Sequence, residues 1–350
     1  MNTETQLTSL AIIDDKESWN GAVEGFPEND VYYTFEYCRW NAEKENGEAK
    51  LALYQTDSGT VIYPFILRKI VSDTERQLYD ITTPYGYGGP LLAGDESVLD
   101  EFARHFRIYC VEAGVVSEVI RLHPLLGNAS YLARYCDLTY IRKTTAVDLS
   151  GPLSEIRENY SSMNKRNIKK AASSGIYCVE VEKSDENIST FLGLYNGTME
   201  RKEAAGYYYF GFTSLKEQLA ETPVSKSHLL FVYAGDKVIA GAILYTAKQF
   251  AHYHLGASDR DYLDLRPNNL VFDAMVEVSK KMGCTLLHLG GGCQENDSLF
   301  HYKASFSNHN HFDYFIGTNI YDQGLYSELV EEAGRRGLLK EGFFPLYRSI

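Results

Sequence analysis

The sequence predicts an α/β fold of the α+β kind, in two domains built on mixed, largely antiparallel sheets. Three observations predict it. The length, 350 residues, exceeds what one hydrophobic core usually serves. Between residues 229 and 292 three apolar strands, a helix and a fourth strand follow one another, the last strand entering a glycine turn. Near Asp148-Leu149-Ser150-Gly151-Pro152 the apolar pattern breaks and a basic helical stretch opens, which places a boundary between residues 148 and 149.

In the first domain, residues 51–55 (LALYQ) and 60–70 (TVIYPFILRKI) flank Asp57-Ser58-Gly59 and read as a hairpin. Residues 82–92 (TTPYGYGGPLL) are rich in Gly, Pro and Tyr and read as a loop. A helix from Val98 to Ala113 and a strand, VSEVIRLHP, follow. The second domain opens with LSEIRENYSSMNKRNIKKAASSG, read as one amphipathic basic helix stopped by Gly175. Further helices are expected over Ser184 to Arg201 and over 212–221. Residues 229–234, 237–247 and 249–258 fit three antiparallel strands. In residues 268–283, Val271, Met275, Val278 and Met282 share a helical face, with Asn268 or Asn269 as N-cap and Gly283 as stop. The strand CTLLHLGGG comes next.

The net charge of −13 argues against a broad nucleic-acid coat, since phosphate binding needs a basic face, so any polyanion must meet a local patch. The N-terminal stretch through Trp19 lacks a basic segment followed by a long apolar one, and no run of about 18 apolar residues occurs. A cytoplasmic protein without stable membrane insertion is expected. Six cysteines lie scattered without zinc-ligand spacing, so reduced thiols and no metal site are expected. The 27 tyrosines suit a groove where rings are buried and hydroxyls stay wet.

The β-β-β-α-β order is that of the GNAT acyltransferase core. The chain resembles the FemAB-like aminoacyltransferases, tandem GNAT-like domains that extend cell-wall precursor peptides using aminoacyl-tRNA. The resemblance lies in PYGYGGPL (84–91), KRNIKKAASSGI (165–176), HYHLGASD (252–259), RPNNLV (266–271), HLGGG (288–292), DSLFHYKASF (297–306) and NIYDQGLYSEL (319–329). It implies two tandem GNAT-like domains, 1–148 and 149–315, with residues 316–350 returning to the first. Nothing between Ser184 and Ser227 is long enough for the helical arm of some members. Broader acetyltransferase relatives share these motifs with other acyl donors, so the resemblance leaves the donor open.

Lys303 lies a turn beyond Asp297-Ser298, the expected cap of a short helix, and by resemblance it matches the family's catalytic lysine. A cation there would stabilise the oxyanion formed when an amine attacks an ester; the plain alternative is a solvated surface lysine. His252 and His254 share one strand face and Tyr253 takes the other. The histidines read first as packed side chains, and resemblance puts Tyr253 in the acceptor channel. Tyr302 flanks Lys303 in the same motif and is counted with the substrate-binding residues. Lys165, Arg166, Lys169 and Lys170 form a basic stripe, of which Arg166 and Lys169 are chosen for phosphates. Tyr85, Tyr87, Gly88 and Gly89 border the acceptor groove by resemblance, or form a buried turn. The Gly290-Gly291-Gly292 turn and Asp297 need no more than tight turning and capping.

GNAT enzymes that use acetyl-CoA cradle pyrophosphate on backbone N–H groups of a Gly-x-Gly loop opening the central helix. Here that turn reads Leu265-Arg266-Pro267-Asn268-Asn269, without glycine and with a proline that has no N–H. Arg266, Asn268 and Asn269 are then substrate-binding candidates, or merely a helix cap. The expected reaction is aminoacyl transfer from aminoacyl-tRNA, with no tightly bound cofactor, to an amine of a nucleotide-linked or lipid-linked peptidoglycan precursor. The rivals are an N-acyltransferase using acyl-CoA or acyl-carrier protein on an amino sugar or amino acid, and a muropeptide-binding protein without turnover.

Overall fold

The computed structural model describes residues 10–73 and 76–349, so part of the N-terminal stretch read for a leader lies outside the described residues. The chain divides into two compact units, residues 1–141 with 314–350, and residues 142–313. The divisions fall before Arg142 and before Tyr314, where the sequence placed them at 148/149 and 315/316. Both lie inside strands that carry no turn signal; the 148/149 boundary follows a pattern break a few residues later, and the 315/316 boundary follows the family resemblance.

The strands are β1 (Leu10–Ile13), β2 (Gly47–Thr56), β3 (Gly59–Ile70), β4 (Leu78–Thr82), β5 (Leu91–Gly94), β6 (Val115–Arg121), β7 (Asp137–Asp148), β8 (Ile176–Val181), β9 (Ser225–Ala234), β10 (Lys237–Ala247), β11 (Phe250–Ser258), β12 (Leu286–Gly290) and β13 (His311–Ile320). The first unit orders its strands β1-β2-β3-β4-β6-β13. β2, β3 and β4 are antiparallel, β6 lies parallel to β4, and β13 closes antiparallel to β6. The helix Ser97–Glu112 makes the crossover and buries Val98, Leu99, Phe102, Phe106 and Cys110, a stripe at helical spacing. Its N-terminal side follows β5, which turns residues 91–94 back onto β3 where the sequence reading saw only loop.

The second unit repeats the plan. Its order is β7-β12-β11-β10-β9-β8, with β9, β10 and β11 antiparallel, β12 parallel to β11 and β7 antiparallel to β12. The crossover helix, Pro267–Lys281, buries Val271, Phe272, Met275 and Val276, each apolar side chain contributing roughly 1.5–3 kcal/mol. Val278 and Met282 pack at the margin of the same core. These are two tandem GNAT-like domains. The longest helix among the described residues, Asp185–Arg201, has 17 residues, so no long arm is present there.

Two local expectations are corrected. The basic stretch after Pro152 is two helices, Leu153–Glu158 and Ser162–Ser173, because the Ser161 side chain accepts the Asn164 N–H and starts a second helix. The crossover helix begins at Pro267 and not after an asparagine cap. Proline suits the first helical position, where its missing N–H costs nothing, and Arg266 precedes it in a left-handed conformation at φ 64°.

In the first unit the C-terminal segment is built into the core. Leu329 and Ala333 of the helix Gln323–Arg336 and Tyr347 pack with Ile70, Leu78 and Val116. The Tyr347 hydroxyl meets Ser117 at 2.7 Å and donates to the buried Asp80, which also pairs with Arg68 and Arg348. Leu329→Ala should therefore cost about 2–5 kcal/mol, measured by chemical denaturation. Hydrogen exchange should show the loss of protection in β4 and β6, with β9–β12 unchanged.

Candidate functional site

The site in the second unit begins with the turn that ends β12. Gly290 has φ 75°, a left-handed conformation that favours glycine. A Cβ on Gly291 would lie 2.8 Å from the Lys143 carbonyl, and one on Gly292 would lie 1.9 Å from Oδ1 of Asp297. All three glycines are thus required by the turn itself. Asp297 accepts N–H bonds from Cys293 (2.6 Å), Gln294 (3.0 Å) and Phe300 (2.8 Å), so it ties the turn to the helix Ser298–Ala304 that it caps. Those backbone bonds hold its carboxyl below the usual carboxylate range. Arg142 donates from one guanidinium nitrogen to the carbonyls of Gly292 (2.6 Å) and Cys293 (2.7 Å).

This scaffold withdraws Lys303 from water. Its side chain is 8% exposed, and Nζ donates to the Gly291 carbonyl at 2.8 Å. The ammonium stands 5.5 Å from the centre of the Tyr253 ring, within cation–π reach. Burial pushes its pKa down to about 8. The picture of a solvated surface lysine is wrong for this residue. Tyr253 and Tyr302 both pack on Phe272, at 5.1 and 5.3 Å between ring centres. Burial raises the Tyr253 hydroxyl to about 12, and it raises Tyr302 as well. The buried Tyr302 hydroxyl has no hydrogen-bond partner among the described residues. Tyr253 reaches its position because residue 256 is glycine: a Cβ there would lie 2.1 Å from the Tyr253 hydroxyl.

The other candidates of this unit separate from that centre. His252 is buried, edge-on to His288 at 5.7 Å, and His254 pairs with Oε1 of Gln218 at 2.7 Å beneath Tyr245. Both are packed side chains. Asn269 is buried and donates to Asn164 at 2.9 Å; Asn164 in turn donates to the Ser305 hydroxyl at 2.6 Å. That chain of amides joins three helices. Arg157 holds Asp273 through two bonds, at 2.8 and 2.7 Å, and locks the crossover helix to the helix Leu153–Glu158. Arg266 is exposed and Asn268 half-buried at the start of the crossover helix. Lys165, Arg166, Lys169 and Lys170 are all exposed on the helix Ser162–Ser173.

In the first unit, Tyr85 is exposed, while Tyr87 packs edge-on against Tyr32, His123 and Tyr314. Gly86 and Gly89 hold φ 101° and 90°, and the Gly88 carbonyl accepts from Asn128 at 2.8 Å. The glycines of this loop are explained by its own turn. Sequence reasoning missed Arg142 and Asp273, whose roles depend on partners 150 and 116 residues away.

A family model described as an acetyltransferase (GNAT) domain matches residues 159–304, most of this unit. The second unit is a GNAT-type acyltransferase domain. Among solved structures, the chain is similar to FemX, at TM-score 0.68 and 14% identity over 91% of this chain and 99% of the other. It is also similar to the C-terminal domain of a putative lysylphosphatidylglycerol synthetase from Agrobacterium fabrum, at TM-score 0.55 and 12% identity, covering 91% and 97%. L-PGS from Bacillus licheniformis aligns at TM-score 0.50 and 12% identity, covering 87% and 92%. No curated protein matches the sequence significantly. The chain therefore carries a GNAT-type acyltransferase domain, its tandem fold is similar to that of FemX, and none of its described helices is long and apolar enough to cross a membrane.

A buried ammonium costs stability, and the sign follows from its lowered pKa. Below about pH 8 the lysine is charged in both folded and unfolded states and the cost is full; it fades as pH rises toward about 10.4, the unfolded value. Lys303→Met should thus raise stability by up to about 3 kcal/mol at neutral pH, less the lost bond to Gly291, and lose that advantage by about pH 10. Thermal unfolding at several pH values measures this, and turnover of the same variant should fall.

Proposed function

We propose that the chain transfers an aminoacyl group from aminoacyl-tRNA to a primary amine of a peptidoglycan-type precursor, nucleotide-linked or lipid-linked. The observation that carries the choice of donor is the start of the crossover helix. Pro267 has no N–H, and the Asn269 N–H is spent on the Arg266 carbonyl at 3.1 Å. Of the first three residues only Asn268 keeps an amide to offer, too few for the pyrophosphate cradle of a CoA enzyme. The fold likeness to a lysylphosphatidylglycerol synthetase supports an aminoacyl group over an acetyl group.

In this reading the acceptor amine attacks the ester carbonyl, a C–N bond forms, and the Lys303 ammonium stabilises the oxyanion. Collapse breaks the C–O bond, and the proton lost by the amine ends on the departing ribose oxygen. Tyr253 and Tyr302 orient the acceptor, with the unpartnered Tyr302 hydroxyl as its polar contact. The stripe with Arg166 and Lys169, and exposed Arg266, suit tRNA phosphates. Holding ester and amine together supplies much of the rate.

The acetyltransferase match favours a second reading, acyl-CoA or acyl-carrier protein as donor with an amino sugar or amino acid as acceptor. Charged tRNA with a muropeptide should give product by mass spectrometry, and acetyl-CoA with a panel of amines should not. Turnover with CoA alone overturns the first reading; muropeptide binding without turnover points to a binding protein.

The lysine's pKa makes a further prediction. An acceptor amine near pKa 10 becomes reactive as pH rises, while the Lys303 cation is lost above about 8. The rate should climb to about pH 8 and level off there. In Lys303→Arg, whose charge persists, residual activity should go on climbing toward about pH 10.

A further inference from the structure

Beside the helix Ser298–Ala304 the second unit holds a cleft of about 470 Å³, within the roughly 300–1,000 Å³ range of small-molecule sites. The groups that line it are of one electrical kind. Lys143 enters from β7, His301 from the helix, and His309 and His311 from the loop and start of β13. Asn159, Asn296 and Asn308 add neutral amides, and among the described residues no carboxylate lines the cleft. Phe300 forms the apolar wall, its ring 5.1 Å from His311 and 5.8 Å from His301. His311 and His309 meet edge-on at 5.9 Å. The Lys143 ammonium has no ion pair among the described residues; Glu295 nearby accepts its backbone N–H at 3.0 Å.

The convergence is also electrostatic. The pKa of His311 is lowered by burial first, then by the charges of His309, Lys143 and His301, and no carboxylate offsets them. One ring nitrogen, Nδ1, lies 3.3 Å from the Thr145 hydroxyl, which leaves Nε2 for the cleft. His309 also holds a left-handed backbone at φ 62°, a conformation that non-glycine residues rarely adopt.

Three imidazoles and an ammonium around one space repel each other when protonated, and a bound anion removes that repulsion. We infer that this cleft is a pH-gated docking site for the phosphate or diphosphate group of a ligand, held by Lys143, His301, His309 and His311. The inference stands apart from the choice of acyl donor, because it concerns binding and not turnover. Lys143 brings a standing positive charge, and each imidazole adds to the attraction when it is protonated.

The test is calorimetric titration with inorganic pyrophosphate at about pH 6 and about pH 8, at fixed ionic strength. Binding should be roughly tenfold tighter at the lower pH. Pyrophosphate itself grows more negative as pH rises, so this direction reports the protein. His301→Gln with His309→Gln, both at exposed positions, should abolish the pH dependence, and Lys143→Ala should weaken binding at both pH values. The His311 ring, followed by NMR, should titrate at higher pH once pyrophosphate is bound. A nucleoside diphosphate binding more tightly with the same pH dependence assigns the site to a nucleotide; equal binding assigns it to an isolated phosphoryl group. Equal affinity at both pH values, binding untouched by the variants, or no binding at all overturns the inference.

Discussion

A lysine ammonium held out of water against a single peptide carbonyl is unfavourable by itself, and the elements around residue 290 are arranged to keep one there. The Gly291 carbonyl can face Lys303 only because Gly290 turns left-handed and because neither Gly291 nor Gly292 carries a side chain. Asp297 and Arg142 fix the two sides of the turn, one through N–H groups and the other through carbonyls. Behind them the Arg157–Asp273 pair and the Asn269–Asn164–Ser305 chain bind the crossover helix to its neighbours. In the reaction proposed above, a cation desolvated in advance needs little reorganisation as the oxyanion forms.

The same crossover helix shows how one local choice alters what a helix start offers. A GNAT helix that opens on glycines offers a fan of amides to pyrophosphate. This one opens on a left-handed arginine and a proline, and spends the Asn269 amide at once on Arg266. What remains at the surface is the exposed Arg266 guanidinium, the group that the proposed reading assigns to tRNA phosphates. In that reading the side chain takes over a task that glycine amides perform in a CoA enzyme.

Much of the second unit was legible in the sequence, because its strands and crossover helix alternate at periods set by local geometry. β9, β10, β11 and β12 fall where apolar runs and turn residues put them, and Val271 and Met275 face the core. Lys303 was legible only through its surrounding motif, since no periodicity tells a buried lysine from a solvated one. The long-range features were not legible. β7 and β13 are strands whose partners lie far away in the chain, and nothing local marks them. The Asn268 or Asn269 cap failed for a different reason: asparagine is a frequent cap, but proline one residue earlier already supplied a preset first turn. Lys143 and the histidines at 301, 309 and 311 come from separate elements, and only the fold assembles them.

The return of the chain to its first unit has a consequence for the order in which the molecule can form. β6 finds its antiparallel neighbour in β13, and Ile70, Leu78 and Val116 are covered by Leu329, Ala333 and Tyr347. On a ribosome, residues 1–141 emerge first and yet cannot close their sheet, whereas residues 142–313 leave with every strand of their own unit in hand. The unit begun first is finished last. Until residues 314–350 arrive it presents an open strand edge and an uncovered apolar face, the kind of surface that chaperones hold and that aggregation exploits.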